Sequence, residues 1–259
     1  MTRDHETGFI LPQYSRHLPA HLDQESINFL TEKGALCVPA TCFRNNLFTS
    51  YAHHVHSDLP LLDLNGLIRP IIQNDKDHSI SLLLLQAVLF AASAFVNIED
   101  IQAAGFESRI QARTTFFQRA RLLYDFDYEE DRLTLTQSLL LMSYWEESPR
   151  GPKDGCHWLG LSLGVAQTIG LHRKPHFADE DTARIRTRLW WCIYARDCLM
   201  ALDMRPSMHI SSVEFDTRPL TIDHFELELS AATVNSTGYS GLLGNAEHQR
   251  SLAVIFLRK

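Results

Sequence analysis

The chain has 259 residues, 45% hydrophobic and 21% charged, with a formal net charge of -7. That length and apolar content suffice to bury one large core, or two smaller ones, without disulfides or metals. The acidic balance is the reverse of what a phosphate-tracking surface requires, so bulk charge gives no sign of nucleic-acid binding.

In chain order, residues 1–50 read as an N-terminal extension, partly irregular. Residues 1–12 are polar, with Asp4, His5 and Glu6, and match neither a signal peptide nor a transit peptide. Helix signals strengthen from Ser79, which can cap a helix running to about Phe95. Ile80 to Val96 is apolar but interrupted by Ser81, Gln86 and Ser93, and it falls short of the roughly 20 residues of a membrane span; it reads as a buried core helix. A short turn over Ile98 to Ala104 ends at Gly105. A second helix is expected from Ser108 to about Tyr124, with Phe116, Phe117, Ala120, Leu123 and Tyr124 inward and Arg109, Arg113 and Arg121 outward.

Asp131 opens a third helix, carrying Leu139, Leu140, Leu141, Met142, Tyr144 and Trp145, until Ser148-Pro149-Arg150-Gly151-Pro152 breaks the pattern. So little polar surface places it centrally. The fourth helix, Asp154 to about Ile169, is apolar around most of its circumference, and Gly160, Ser162 and Gly164 are expected to let a neighbouring helix approach. Asp179, Glu180 and Asp181 form an acidic entry to a fifth helix, with Ile185, Leu189, Cys192, Ile193 and Leu199 toward the core. It is expected to end before Arg205-Pro206. Residues 226–259 read as a flexible linker and a short C-terminal segment. Strand signals are almost absent. The fold class is all-α, a multi-helix bundle-like arrangement with an irregular start and a loose tail.

Several motif matches have plain structural readings. Gly160-Leu161-Ser162-Leu163-Gly164 fits G-x-S-x-G, but a nucleophile elbow needs a preceding strand, and here the pattern lies inside a helix; no catalytic residue is assigned. His53, His54 and His56 lie within four positions, yet no second ligand pair completes a zinc site, so they read as surface or loop histidines, as do His172 and His176. Cys37, Cys42, Cys156, Cys192 and Cys198 form no C-x-x-C pair and read as reduced thiols. Asn235-Ser236-Thr237 fits the glycosylation pattern by chance. Arg184, Arg186 and Arg188 alternate along one helix, so they share no face and form no phosphate stripe; they read as helix surface and ion-pair partners. Trp190 and Asp197 do share a face, where a partly buried Asp197 calls for a cationic partner such as Arg205 or another arginine.

Taken in order, these segments resemble the fungal-specific transcription factor domain, the middle regulatory region of binuclear zinc-cluster regulators, and within it the cutinase transcription factor β-like proteins. Tyr51 to Asp63 (YAHHVHSDLPLLD) is similar to the family's opening motif around His56 and Pro60, with Ser57 where proline is usual. Leu84 to Ser93, containing Gln86, resembles its first core helix. Arg119 to Tyr124, and Gln137 to Trp145, resemble the next two. Trp158 to Arg173, with Gly170, is similar to the central A-x-x-h-G-L-H-R segment. Arg186-Thr-Arg188-Leu-Trp190-Trp191, followed by Arg196-Asp197, is similar to the signature R-x-R-L-W-W-x4-R-D. Arg205-Pro206 matches the motif beyond it, with Met204 replacing a glycine.

The resemblance implies a regulatory domain over 51–225, nuclear location, and partners among co-regulators or an intact regulator of the same family, with room for a small-molecule effector. A stand-alone interaction or metabolite-sensing module is the alternative. The family's zinc belongs to its six-cysteine cluster, C-x2-C-x6-C and its second half, and that pattern is not among these residues; no cofactor, no membrane contact and no specific DNA binding are expected from them.

Overall fold

The structure, a computed structural model, describes residues 11–75, 78–145, 153–174, 179–204, 208–211, 215–221 and 224–225. The described residues form nine α-helices and no sheet, apart from one isolated bridge between Ser15 and Ile80. The helices are α1 (Gln24–Glu32), α2 (Thr41–Ser50), α3 (Leu64–Gln73), α4 (Leu82–Ala92), α5 (Ile98–Ala103), α6 (Arg109–Asp125), α7 (Arg132–Met142), α8 (Gly155–Thr168) and α9 (Glu180–Met204). A π-helical turn, Tyr51–Val55, extends α2.

Most helices start where a short polar side chain satisfies the free backbone N–H groups of a first turn. Asp23, Asp63, Ser108, Asp131 and Asp154 each accept a hydrogen bond from a backbone N–H two or three residues ahead. For the first core helix this role falls to Ser81 rather than Ser79, and α4 ends at Ala92 rather than near Phe95. Ile98–Ala103 is a helix rather than a turn, closed at Gly105 with φ +88°.

All eleven residues of α4 are buried, Gln86 included. This helix packs against α6 on one side and α7 on another; α7 lies against α8, and α8 against α9. The N-terminal residues share the same core, since α1 and α2 bury Leu30, Phe43, Leu47 and Phe48. Gln86 ties them in by donating from Nε2 to the carbonyls of Ala35 (3.2 Å) and Cys37 (2.7 Å).

Four expectations about faces need correction. Arg113 does not point outward: its guanidinium lies 5.0 Å above the Phe90 ring and donates to the Tyr144 carbonyl at 3.0 Å. Leu199 is 49% exposed instead of buried. Tyr144 and Trp145 lie just past the end of α7. The small residues that admit a neighbour are not Gly160 and Gly164, which have open space where a side chain would stand; Gly155 is the one, since a Cβ there would come 2.5 Å from the Ser143 carbonyl oxygen. The proline-rich break at 148–152 and the glycosylation match at 235–237 lie outside the described residues.

Candidate functional site

Ser162 is fully buried within α8 and donates to the Thr136 carbonyl at 3.0 Å, so its hydroxyl ties α8 to α7. His53 and His54 are exposed, and His54 stacks on Phe95 with ring centroids 4.9 Å apart. His56 departs from the expected surface placement. It is buried, and its Nδ1 has no hydrogen-bond partner. Among the described residues, no three His, Cys, Asp or Glu side chains stand together as a metal site would require.

The signature segment on α9 is rich in polar contacts, and its arginines reach different neighbours. Arg184 pairs with Glu180 and Asp181 on the surface. Arg186 donates to the Ile169 carbonyl at the end of α8. That end is closed by Gly170, whose φ of +73° lets the Leu171 and Gly170 N–H groups bond back to Ala166 and Gln167. Arg188 is 2% exposed and donates to the His224 carbonyl at 3.2 Å, which corrects its expected surface position. Arg196 lies 4.1 Å above the Tyr144 ring and donates to the Ser143 carbonyl at 2.9 Å, clasping the end of α7.

Asp197 is 2% exposed, and among the described residues it accepts from the Ile210 backbone N–H (2.9 Å) and meets His209 Nδ1 at 2.8 Å, while the expected partner Arg205 lies outside them. Trp191 donates from its indole to the Arg218 carbonyl at 2.9 Å. Trp190, 1% exposed, meets Phe215 edge-on at 5.6 Å, and Trp191 and Tyr194 close around the same ring. Thr217 donates to the Leu171 carbonyl. Arg188, Trp190, Trp191, Tyr194 and Asp197 therefore hold a strap, residues 208–211, 215–221 and 224–225, against α9, and Thr217 ties it to Leu171 beyond α8.

Beneath the strap, two distant motifs meet. His56 and Tyr51 from the opening motif face Arg188 and Cys192 from α9. Burial, with help from the Arg188 charge, holds the His56 imidazole neutral down to a pKa of about 3. Burial raises the Tyr51 phenol well above its ordinary range and pushes the Cys192 thiol up to about 12. None of these groups is poised to exchange a proton near neutral pH. They suit a fixed interior rather than acid-base chemistry.

Of the other motif residues, Pro60 is buried. Trp158 is fully buried, meeting Phe117 and Tyr124 edge-on at 5.7 and 5.6 Å, while Trp145 stacks on Phe117 at 4.1 Å. Arg205 and Pro206 lie outside the described residues. His209, Phe215 and Gly155 carried no signal in the sequence: the strap has no periodicity to read, and the glycine's role depends on where α7 ends.

The model of the fungal specific transcription factor domain matches residues 48–250. Cutinase transcription factor 1 beta of Fusarium vanettenii is 42% identical over 254 residues, covering 96% of this chain and 29% of the relative. Transcription factor cpaR of Aspergillus oryzae is 37% identical over 220 residues, 83% of this chain and 36% of the relative. The acetamidase regulatory protein of Aspergillus fumigatus is 28% identical over 197 residues, 74% of this chain and 24% of the relative. No solved structure gives a significant match. The chain thus spans about a third or less of the length of these relatives, and it belongs to the fungal specific transcription factor domain family.

Proposed function

We propose that these residues are the regulatory part of a nuclear transcription factor, transmitting or restraining an activation signal without themselves reading DNA. The carrying observation is the engagement of the signature arginines. Arg186 and Arg196 reach backbone carbonyls, Arg188 is buried, and Arg184 pairs with acidic neighbours. Specific readout needs an element that enters a groove and cations that neutralise phosphates, and these arginines are committed to holding the fold. The net charge of -7 opposes approach to a duplex.

Fluorescence anisotropy on labelled duplexes carrying CGG half-sites, compared with scrambled duplexes at about 0.15 M salt, tests the reading. Weak binding that disappears with added salt is the expected outcome. Sub-micromolar binding with preference for the half-site would overturn it. The proposed partners are co-regulators or an intact regulator of the same family, and a small effector is the proposed input.

A further inference from the structure

A cavity of about 350 Å³ opens between the α1–α2 connection, α2, α5 and α6. Its size is that of a small-molecule site. One wall comes from residues 37–46, which precede the family match at 48, and the opposite wall from α5 and α6. Phe43, Phe106 and Phe116 form its aromatic side, with centroids 5.8 to 6.5 Å apart. The polar contribution is Arg119 and Asn46, with Asp100 on the α5 side and the thiols of Cys37 and Cys42 nearby.

Arg119 is built into this wall in an unusual way. Its guanidinium lies 5.7 Å from the Phe116 ring centre and passes over Gly34, where a Cβ would come within 3.1 Å of Nη2. Its Nε is buried with no hydrogen-bond partner, and no carboxylate among the described residues pairs with it. Burial lowers its pKa from the ordinary arginine value. A half-buried guanidinium with an unsatisfied Nε is a ready partner for an anion, and its planar fork suits a carboxylate bidentately. Every other arginine described above for the α9 clasp has found a carbonyl or a carboxylate; Arg119 faces a cavity.

We propose that this cavity binds a small organic carboxylate with an apolar body, the carboxylate on Arg119 and the body against Phe43, Phe106 and Phe116. Such an occupant bridges the N-terminal helices to α5 and α6, so binding tightens the packing of one on the other. The inference deepens the small-effector part of the preceding proposal. It does not depend on whether the chain binds DNA, and the two fail separately: specific DNA binding would remove that reading and leave the cavity untouched.

Cys42 is exposed at the cavity, while Cys156 and Cys198 are half-buried elsewhere, so thiol alkylation reports occupancy at the site itself. The full chain is treated with iodoacetamide alone or with 3-phenylpropionate, 3-phenylpropanol or 3-phenylpropylamine at about 1 mM, and modification at each cysteine is followed by peptide mass spectrometry. The expected result is slower alkylation of Cys42, not of Cys156 or Cys198, with the acid only. Arg119→Met is expected to weaken that protection about tenfold or more, with Arg119→Lys intermediate. Far-UV circular dichroism confirms that each variant is folded, and the three-compound comparison on the unaltered chain stands without them. Equal protection by the acid, alcohol and amine would overturn the proposal by showing a merely apolar cleft. Protection by the amine alone would assign the site to Asp100 instead, and no protection by the acid would show that the cavity does not take this class.

Discussion

Trp158 and Asp197 are almost equally buried, at 0% and 2% exposure, but their surroundings differ in kind. Around Trp158 the contacts are ring contacts, with Phe117, Tyr124 and His157, and Lys153 Nζ lies 6.0 Å from its centre; in the same interior Trp145 stacks on Phe117 and α4 is fully buried. Around Asp197, α9 holds the strap through side chains bonded to backbone groups, Asp197 to Ile210, Trp191 to Arg218 and Arg188 to His224. The first region is held by area removed from water and by close packing, which are non-directional and cumulative. The second depends on a few directional bonds, each with a specific partner. A region of that kind can open locally without unfolding the whole.

The sharpest way to break this comparison is at its apolar pole. Trp158→Ala is expected to cost about 3–5 kcal/mol, measured by chemical denaturation, with amide exchange quickening throughout α4, α6, α7 and α8. Asp197→Ala leaves the Ile210 N–H without its acceptor and is expected to cost about 1–3 kcal/mol. Here amide exchange should quicken over 208–225 while the α4 amides stay protected. If both variants open both regions alike, the strap and the interior form one cooperative unit and the distinction falls.

The junction between the two regions supplies a test by pH. His56 stays neutral in the fold down to about 3, whereas its unfolded value is 6.5, so below 6.5 the unfolded chain takes up a proton that the native chain refuses. Stability from this group is complete above 6.5 and is lost as pH falls toward 3, at up to about 1.4 kcal/mol per pH unit. Denaturation midpoints across that window should fall less steeply in His56→Gln than in the unaltered protein; equal slopes would remove His56 from the buried cluster.

The smallest expected effects discriminate two arginines of α6. Arg113→Ala removes a ring contact and a bond to the Tyr144 carbonyl, at about 1 kcal/mol. Arg121 pairs only with Asp125 one turn away at 3.5 Å, and both side chains are about two-fifths exposed. Arg121→Ala should change stability by less than about 0.5 kcal/mol. Identical midpoints for the two variants would show that Arg113 contributes nothing to the interior.

Local chemistry was legible wherever a signal lies within a turn or two of its effect. Ser108, Asp131 and Asp154 cap the helices expected of them, and the apolar periodicity of 108–124 placed Phe116, Phe117, Ala120 and Leu123 correctly in the interior. The motifs of residues 51–63 and 186–197 identified the family before any fold was known, because their residue types recur at fixed spacing. The helices of the first fifty residues were harder to read: α2 and its π-helical turn mix polar and apolar residues with no clean period, and they are helical because tertiary packing overrides weak propensity.

What only the tertiary structure decided is which groups meet across long separations. Periodicity assigned Arg113 to the solvent face, but Phe90 and the Tyr144 carbonyl, 23 and 31 residues away, give it a place in the interior. Gly160 and Gly164 looked suited to a close helix approach, whereas the end of α7 arrives at Gly155 instead. The sequence placed His56 and Arg188 in recognisable motifs far apart along the domain, and Arg119 on an ordinary helix. That the first two share one buried cluster, and that the third lines a cavity without pairing to a carboxylate among the described residues, follows from how the helices pack. A one-dimensional pattern records the spacing along each helix and carries no information about which neighbour its surface meets.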